Sequence, residues 1–545
     1  MAGYNDSEGL GKRTARVLSA VLVGQALNIL VTAITIILIA RLLGPTNYGI
    51  YVFAFGFATL IDSVGGLGIG TFFNRHLSMS IFQHDHEKTL RVLSSGYLLL
   101  IVSSLLLTAL GLGLSGYLSN TLYSGLGIPE ITLITSSFII FFVMVQSVSA
   151  NALIGLAKGF HSSFSILAGN VVQLFGSVLL VVYGFGVEGA LLGMLFGYMV
   201  GASLGTILIF RTIGRHGRIR LFWPTKSELK ETAKFSFPIG LNNMLNDGMQ
   251  NFSILFLGFY VSAAVLGNFG AALKALAAII LLQNSINHVL LPAFTQAKIT
   301  KKAKDLHLTY NKVLGYSLVV VLPLLVYVAV FSAPAVYLFL SKSFYLAPGY
   351  LTLIMIGTMV NTVSLFISSL IVSIGRTAKV LKYYAISAVI QLAFLILITQ
   401  FLSSSGLQQP LVVYGSIVAI FVIGNAVSIL LFARGAISVV GVRFDYRKIS
   451  MIFLSNIALA AVLAALLLVM NHITAGSQSN LVLGAELLLG AIAAIAIYSP
   501  IFALTGTLSR KDIESMRLAT ERIPAVNRVA ALFFRYSMLF IRGER

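Results

Sequence analysis

No cysteine occurs in the 545 residues, so disulfides, thiolate nucleophiles and cysteine-based metal centres are excluded. Acidic groups are scarce, with 17 aspartates and glutamates against 37 lysines and arginines. Charge of either sign makes up only 10 % of the chain, where a soluble domain carries about 25 %. Several enzyme signatures are missing too. There is no Walker A loop, no zinc-binding His-Glu-x-x-His helix and no nucleophile elbow, so ATP hydrolysis and these hydrolytic chemistries have no residues to carry them. Nothing in the pattern asks for a cofactor.

What is abundant is apolar surface. The chain is 58 % hydrophobic with a mean hydropathy of +0.94. A bilayer core about 30 Å thick takes about 20 apolar residues per helical crossing. Such stretches are expected at 18–41, 48–72, 93–118, 131–156, 163–183, 187–210, 236–260, 266–291, 313–340, 348–373, 380–402, 410–433, 449–471 and 481–506. With these marked, every lysine and arginine except Arg41, Lys274 and Lys342 falls at a terminus or in an even-numbered loop. Basic residues are retained in the cytoplasm during insertion, so both termini are placed there.

The net charge of +20 and the pI near 10.0 then reflect this asymmetry and attraction to anionic lipid headgroups, not nucleic-acid binding. The first apolar run is longer than a signal-peptide core and is read as a retained helix. At the other end, Arg528, Arg535 and Arg542 recur at heptad spacing between Leu532, Phe533, Leu539 and Phe540. That pattern predicts an amphipathic helix in the headgroup plane.

A weak internal repeat divides the chain. One constant shift along the sequence lays Gln25-Ala-Leu-Asn28 on Asn243-Met-Leu-Asn246, and Tyr48-Gly-Ile-Tyr51 on Leu266-Gly-Asn-Phe269. Six crossings per half is an even number, so the halves share orientation about an axis along the membrane normal. The expected architecture is an all-α polytopic membrane protein of about 14 transmembrane helices: two six-helix bundles related by that pseudo-two-fold, plus two C-terminal helices. Its parts are a bundle over 1–210, a basic cytoplasmic linker at 211–235, a second bundle over 236–433, extra helices 13 and 14 within 434–506, and a cytoplasmic amphipathic tail at 507–545.

Polar groups inside a span are costly and usually face a cavity or a partner helix. Crossing 7 holds the densest set: Asn242, Asn243, Asn246, Asp247, Gln250 and Asn251, covering half of the helix circumference at 100° per residue. Crossing 1 carries Gln25, Asn28, Thr32 and Thr35 on one face. Both stripes are candidates for a water-filled cavity, and both could instead be helix-to-helix hydrogen bonding. Three ionisable groups lie within the spans proper: Asp62, Asp247 and Lys274. Lys274, roughly 12 Å into crossing 8, either pairs with Asp247 or faces an anionic ligand, and Asp62 and Asp247 are candidates for a coupling proton or cation. Glu188 and Glu486 are expected at the outer interface, and His288 is read as structural.

The stretch Ala40-Arg-Leu-Leu-Gly-Pro-Thr-Asn-Tyr-Gly-Ile-Tyr51, continued by Asp62-Ser-Val-Gly-Gly-Leu-Gly-Ile-Gly-Thr71 and Arg75, resembles the opening hairpin of Wzx-type oligosaccharide flippases. These are polysaccharide biosynthesis proteins of the multidrug, oligosaccharidyl-lipid and polysaccharide exporter superfamily. Leu257-Gly258, Leu266-Gly-Asn-Phe-Gly-Ala-Ala272 and Leu291-Pro292 are similar to that family's crossings 7 and 8. The resemblance spans the first twelve crossings. One departure stands out: where the family often has an Asp-Arg pair before Leu257-Gly258, this chain has Ser253 and Ile254.

The resemblance implies a non-enzymatic transporter of the plasma or inner membrane. Its substrate would be an oligosaccharide on a polyprenyl phosphate or diphosphate, moved to the outer leaflet by alternating access, with membrane lipids and glycan-assembly enzymes as partners. Lys274, Arg41, Arg75 and Arg376 are candidates for phosphate contact, although Arg75, Arg91 and Arg376 serve equally as topology determinants. A lipid II flippase, a multidrug or cation antiporter of the same superfamily, and a membrane glycan polymerase or ligase remain as alternatives. The topology has a direct check. Single cysteines placed in this Cys-free chain at Ser124, Ser262 and Ser404 should react with an impermeant maleimide from outside, while one at Ser227 or Lys301 should not.

Overall fold

A computed structural model describes the backbone of residues 7–505 except 67, 84, 215–221, 277–278, 281–282, 284–302, 374, 441–443 and 475–478, together with positions 514, 536, 538 and 540. All regular structure among the described residues is helical. The first unit of chain runs through α1 (Ser7–Gly65), α2 (Ile69–Phe82), α3 (His86–Tyr117), α4 (Glu130–Gly155), α5 (Gly159–Leu180), α6 (Gly186–Gly214) and α7 (Lys226–Leu257). Next come α8 (Ala263–Leu276), α9 (Ala303–Val330), α10 (Ser332–Phe339), α11 (Ala347–Ser373) and α12 (Thr377–Ser404). The last are α13 (Gln409–Ile417), α14 (Gly424–Val440), α15 (Tyr446–Ile473) and α16 (Asn480–Leu504).

Ten helical stretches among the described residues are long and apolar enough to cross a membrane. Two of them, Gly24–Gly65 and Gly159–Gly214, contain backbone breaks. In the first, two helices meet at Gly44, whose φ of 68° and ψ of 172° suit glycine, and Pro45 opens the next helix with its fixed φ and missing N–H. In the second, Gly184 and Gly186 have φ of 93° and 53°.

Two expected boundaries shift. The helix over 48–72 stops at Gly65, because Gly68 takes a left-handed conformation and caps α2. The span over 313–340 is interrupted at Phe331. Pro334 cannot donate to the carbonyl of Val330, four residues back, and its ring would clash there, so α9 ends and α10 begins.

Several helix starts recur at nearly one spacing. Pro45 and Ala263 stand at the same sequence offset as Gly159 and Thr377, and the pair Glu130 with Ala347 falls a single position short of it. The mates α4 and α11 are also the two most enclosed spans, with 61 % and 72 % of their most apolar windows buried.

The chain divides into two compact units, 1–270 and 271–545, and the division falls inside α8. In the first unit α7 packs on α1, α2 and α3. In the second, α15 and α16 pack on α9 and α10: the Tyr327 hydroxyl donates to the Leu487 carbonyl at 2.7 Å, and the Tyr498 hydroxyl to the Val319 carbonyl. This packing encloses Glu486, which is 2 % exposed, although its position in the sequence points to the interface. In the tail, the Tyr536 hydroxyl donates to Ala496 on α16 at 2.9 Å.

The start of α7 is fixed by a capping box. The Thr225 side chain accepts from the Glu228 amide at 3.3 Å, and the Glu228 carboxylate accepts from the Thr225 amide at 2.7 Å. Arg91 on α3 adds an ion pair to Glu228 at 3.2 Å and lays its guanidinium 5.1 Å from the Phe222 ring. The bond from the Thr225 amide, with help from Arg91, holds the Glu228 carboxyl below the usual carboxylate range. A depressed folded-state value gives stability that is fully present above the unfolded value, about 4.3, and is lost as pH falls through the folded one. Thr225→Ala should therefore cost about 1 kcal/mol at neutral pH in thermal unfolding followed by size-exclusion chromatography. Glu228→Gln should flatten the acid limb of that stability profile.

Candidate functional site

The sequence-predicted residues fall into three groups. On α1, Gln25 is exposed, whereas Asn28 and Thr32 are tied to α5. Asn28 donates to the Ser163 carbonyl at 3.3 Å, and Asn170 donates to Asn28 Oδ1 at 3.2 Å and to Thr32 Oγ1 at 3.3 Å. Thr35 turns back on its own helix, donating to Val31 at 2.8 Å. In lipid, where no water competes, such amides hold helices together.

Deeper in the same unit lies a cluster that the stripes of crossings 1 and 7 do not include. Tyr51, 4 % exposed, stacks on Tyr48 at 5.8 Å and lies beside the Gln173 side chain. Tyr198 lies within electrostatic range of both Tyr51 and the Asp62 carboxylate. Three helices, α1, α5 and α6, thus bring together Tyr51, Asp62, Gln173 and Tyr198. The signal was available: Asn170 and Gln173 are two amides three residues apart in an otherwise apolar crossing 5, hence on one helix face.

α7 adjoins this cluster. A Cβ at Gly248 would lie 3.0 Å from Ser63 Oγ, next to Asp62. The backbone of α7 carries Asn242, Asn243, Asn246 and Asp247 as one continuous helix, and their side chains lie outside the described residues. Gln250 is half-buried, and its carbonyl accepts from Ser253 at 2.6 Å. Lys274, on α8, is half-buried and belongs to the second unit, as Asp247 belongs to the first. His288 lies outside the described residues.

The remaining candidates sit at the rims. Arg41 is exposed just before the Gly44 break. Arg75 is exposed with its guanidinium 5.1 Å over Phe235 of α7. Beside it, His76 stacks on Phe72 at 4.4 Å and meets Phe235 edge-on at 5.1 Å. Burial among these rings, and then Arg75, push the imidazole below its ordinary value and keep it neutral. Glu188 accepts a hydrogen bond from Thr132.

The second unit has its own polar seam. On α11, Thr358, Thr362, Ser364, Ser368 and Ser369 are all buried. Gln283 donates to Thr362 at 2.7 Å, and Tyr384 donates to Ser368 at 3.3 Å. Chemically, these sites offer amides, hydroxyls and a few charges within an apolar matrix.

The long apolar helices define a multi-pass membrane protein. Several solved transporter structures share its fold. The lipid II flippase MurJ in an inward closed conformation is 17 % identical, with a TM-score of 0.68 over 88 % of this chain and 98 % of that one. An inward-facing multidrug resistance MATE family transporter of the MOP superfamily is 18 % identical, with a TM-score of 0.63 over 76 % and 95 %. A MOP superfamily transporter from Pyrococcus furiosus is 18 % identical, with a TM-score of 0.51 over 79 % and 97 %. At these identities the likeness is one of fold. No curated protein matches the sequence. Residues 15–298 match the polysaccharide biosynthesis protein family, and the chain belongs to that family.

If the α1–α5 amides act as helix glue, Asn170→Leu leaves two acceptors on α1 without their donor. It should lower stability by about 1 kcal/mol, the range measured for hydrogen bonds within membranes. Thermal unfolding in detergent checks this.

Proposed function

We propose that the protein carries an oligosaccharide linked to a polyprenyl phosphate or diphosphate from the cytoplasmic to the outer leaflet of the plasma or inner membrane, by alternating access. The observation that carries this reading is membership of the polysaccharide biosynthesis family over residues 15–298. That stretch holds α1, the polar face of α7, and Lys274. A sugar headgroup crosses hydrocarbon only along a polar path, and amides with one cation for phosphate supply it.

In this reading fourteen helices cross the membrane, both termini are cytoplasmic, and the two six-helix halves share orientation about an axis along the membrane normal. The matching starts of α4 and α11 and of α5 and α12 support it. Asn242, Asn243, Asn246, Asp247 and Gln250 line the path with Gln25, and Lys274 meets the phosphate. Arg41 and Arg75 act at its two ends, and Asp62 or Asp247 takes the coupling ion. The substrate leaves unaltered, so no enzyme activity is assigned. Upstream glycan-assembly enzymes deliver it.

Purified protein in liposomes provides the test. A fluorescent lipid-linked oligosaccharide should move between leaflets unchanged, and Asn243→Leu and Asn246→Leu should abolish movement while folded protein persists. Lys274→Ala should lose substrate binding, Lys274→Arg should keep part of it, and Lys274→Ala with Asp247→Asn should stay inactive. Recovery of transport in that double variant would reduce Lys274 to an ion-pair partner. Chemical alteration of the sugar, or movement of lipid II in its place, would overturn the reading.

A further inference from the structure

Residues 45–52 of α1 and 263–270 of α8 cross so closely that no side chain fits between them. A Cβ on Gly49 would collide with the carbonyl of Ala263, reaching 2.7 Å from its carbon, and would lie 3.0 Å from the Gly267 nitrogen. A Cβ on Gly267 would collide with the carbonyl of Pro45, reaching 3.0 Å from its carbon, and would lie 2.9 Å from the Gly49 nitrogen. Further along, a Cβ on Gly270 would press into the Val52 side chain.

These contacts are reciprocal. Pro45 and Ala263, Gly49 and Gly267, and Val52 and Gly270 are mates in the internal repeat, each pair standing at its constant offset. Gly49 reaches the mate of Pro45, and Gly267 reaches Pro45 itself, as across a two-fold interface. Only hydrogens occupy the gap, so each glycine aims a Cα–H at the opposite carbonyl, a weak hydrogen bond that recurs where helices touch. On α8 the small residue Ala263 stands four positions before the glycine, where α1 has Pro45, and the backbones meet there.

The crossing is sealed. Tyr48, Val52, Phe53, Leu266 and Phe269 are at most 1 % exposed. Beside it, Tyr123 from the loop between α3 and α4 meets Phe53 at 4.5 Å and stacks on Phe259, at the α7–α8 corner, at 4.4 Å.

We propose that this reciprocal glycine crossing is the outer closure of the transport path, a seat whose two equivalent halves part when the path opens outward. The direction of opening rests on the transporter reading above, in which the loop between α3 and α4 and the α7–α8 corner face outside. Because the seat is two-fold, a side chain on either glycine should weaken it equally.

The test uses the Cys-free full chain with one reporter cysteine at Gln250, labelled from outside in right-side-out vesicles with an impermeant maleimide. Gly49→Val and Gly267→Val, made separately, should each raise the labelling rate roughly tenfold, as expected when a closed state is depopulated. A cysteine at Ser416, fully buried in the second unit, reports folding and should stay unreactive in both. Should either valine variant expose Ser416, Gly49→Ala and Gly267→Ala replace the pair, with the same direction expected. Unchanged labelling in folded variants, or a rise in only one of the two mates, overturns the proposal. Failure of the wild type to move lipid-linked sugar would instead sink the transport reading while leaving this labelling result standing.

Discussion

Hydrocarbon offers no hydrogen bond to a backbone amide, and the rest of this structure depends on that constraint. Every N–H and C=O within the span must be satisfied inside its own segment, which leaves helices as the available solution for a chain of this pattern. It also dictates where the chain can turn. The glycines with left-handed φ, from Gly44 and Gly68 through Gly127, Gly184 and Gly186 to Gly375 and Gly406, all stand at helix ends or breaks. Between them the helices run long, and side chains decide how they associate.

Association cannot draw on the hydrophobic effect, because lipid tails are as apolar as leucine. Two substitutes are visible. One is close packing at small residues, carried furthest where Gly49 and Gly267 bring two backbones into contact. The other is the sparing use of amides and hydroxyls, as between Asn28, Thr32, Ser163 and Asn170, or Gln283 and Thr362. A transporter must separate these structural polar groups from those kept for its cargo. Asn28 is engaged by one neighbouring helix, α5, on both its oxygen and its nitrogen, whereas the amides of α7 form a denser set than pairing between two helices requires.

Polar positions within a span are legible in the sequence, but their partners are not. Asn28 and Asn246 occupy equivalent places in the repeat, and both read as cavity candidates. Only the approach of α5 shows that Asn28 is spoken for. Asp62 reads as an isolated charge until α6 brings Tyr198 within its field. Glu486, near a predicted helix end, reads as interfacial until α15 and α16 fold over α9 and α10. In each case the deciding neighbour lies far away along the chain.

By itself the sequence determined that the protein is helical and that it is a membrane protein. Local physics is sufficient for these: the length of an apolar run, the side on which lysines and arginines fall, the φ that a glycine or proline permits. The tertiary structure alone decided that α8 is divided between two compact units, that α9 breaks ahead of Pro334, and that Gly49 and Gly267 seat against each other's helices. The physical reason is that a glycine has no side chain whose chemistry announces its role. What it permits, the approach of a second backbone, exists only once both helices are in place.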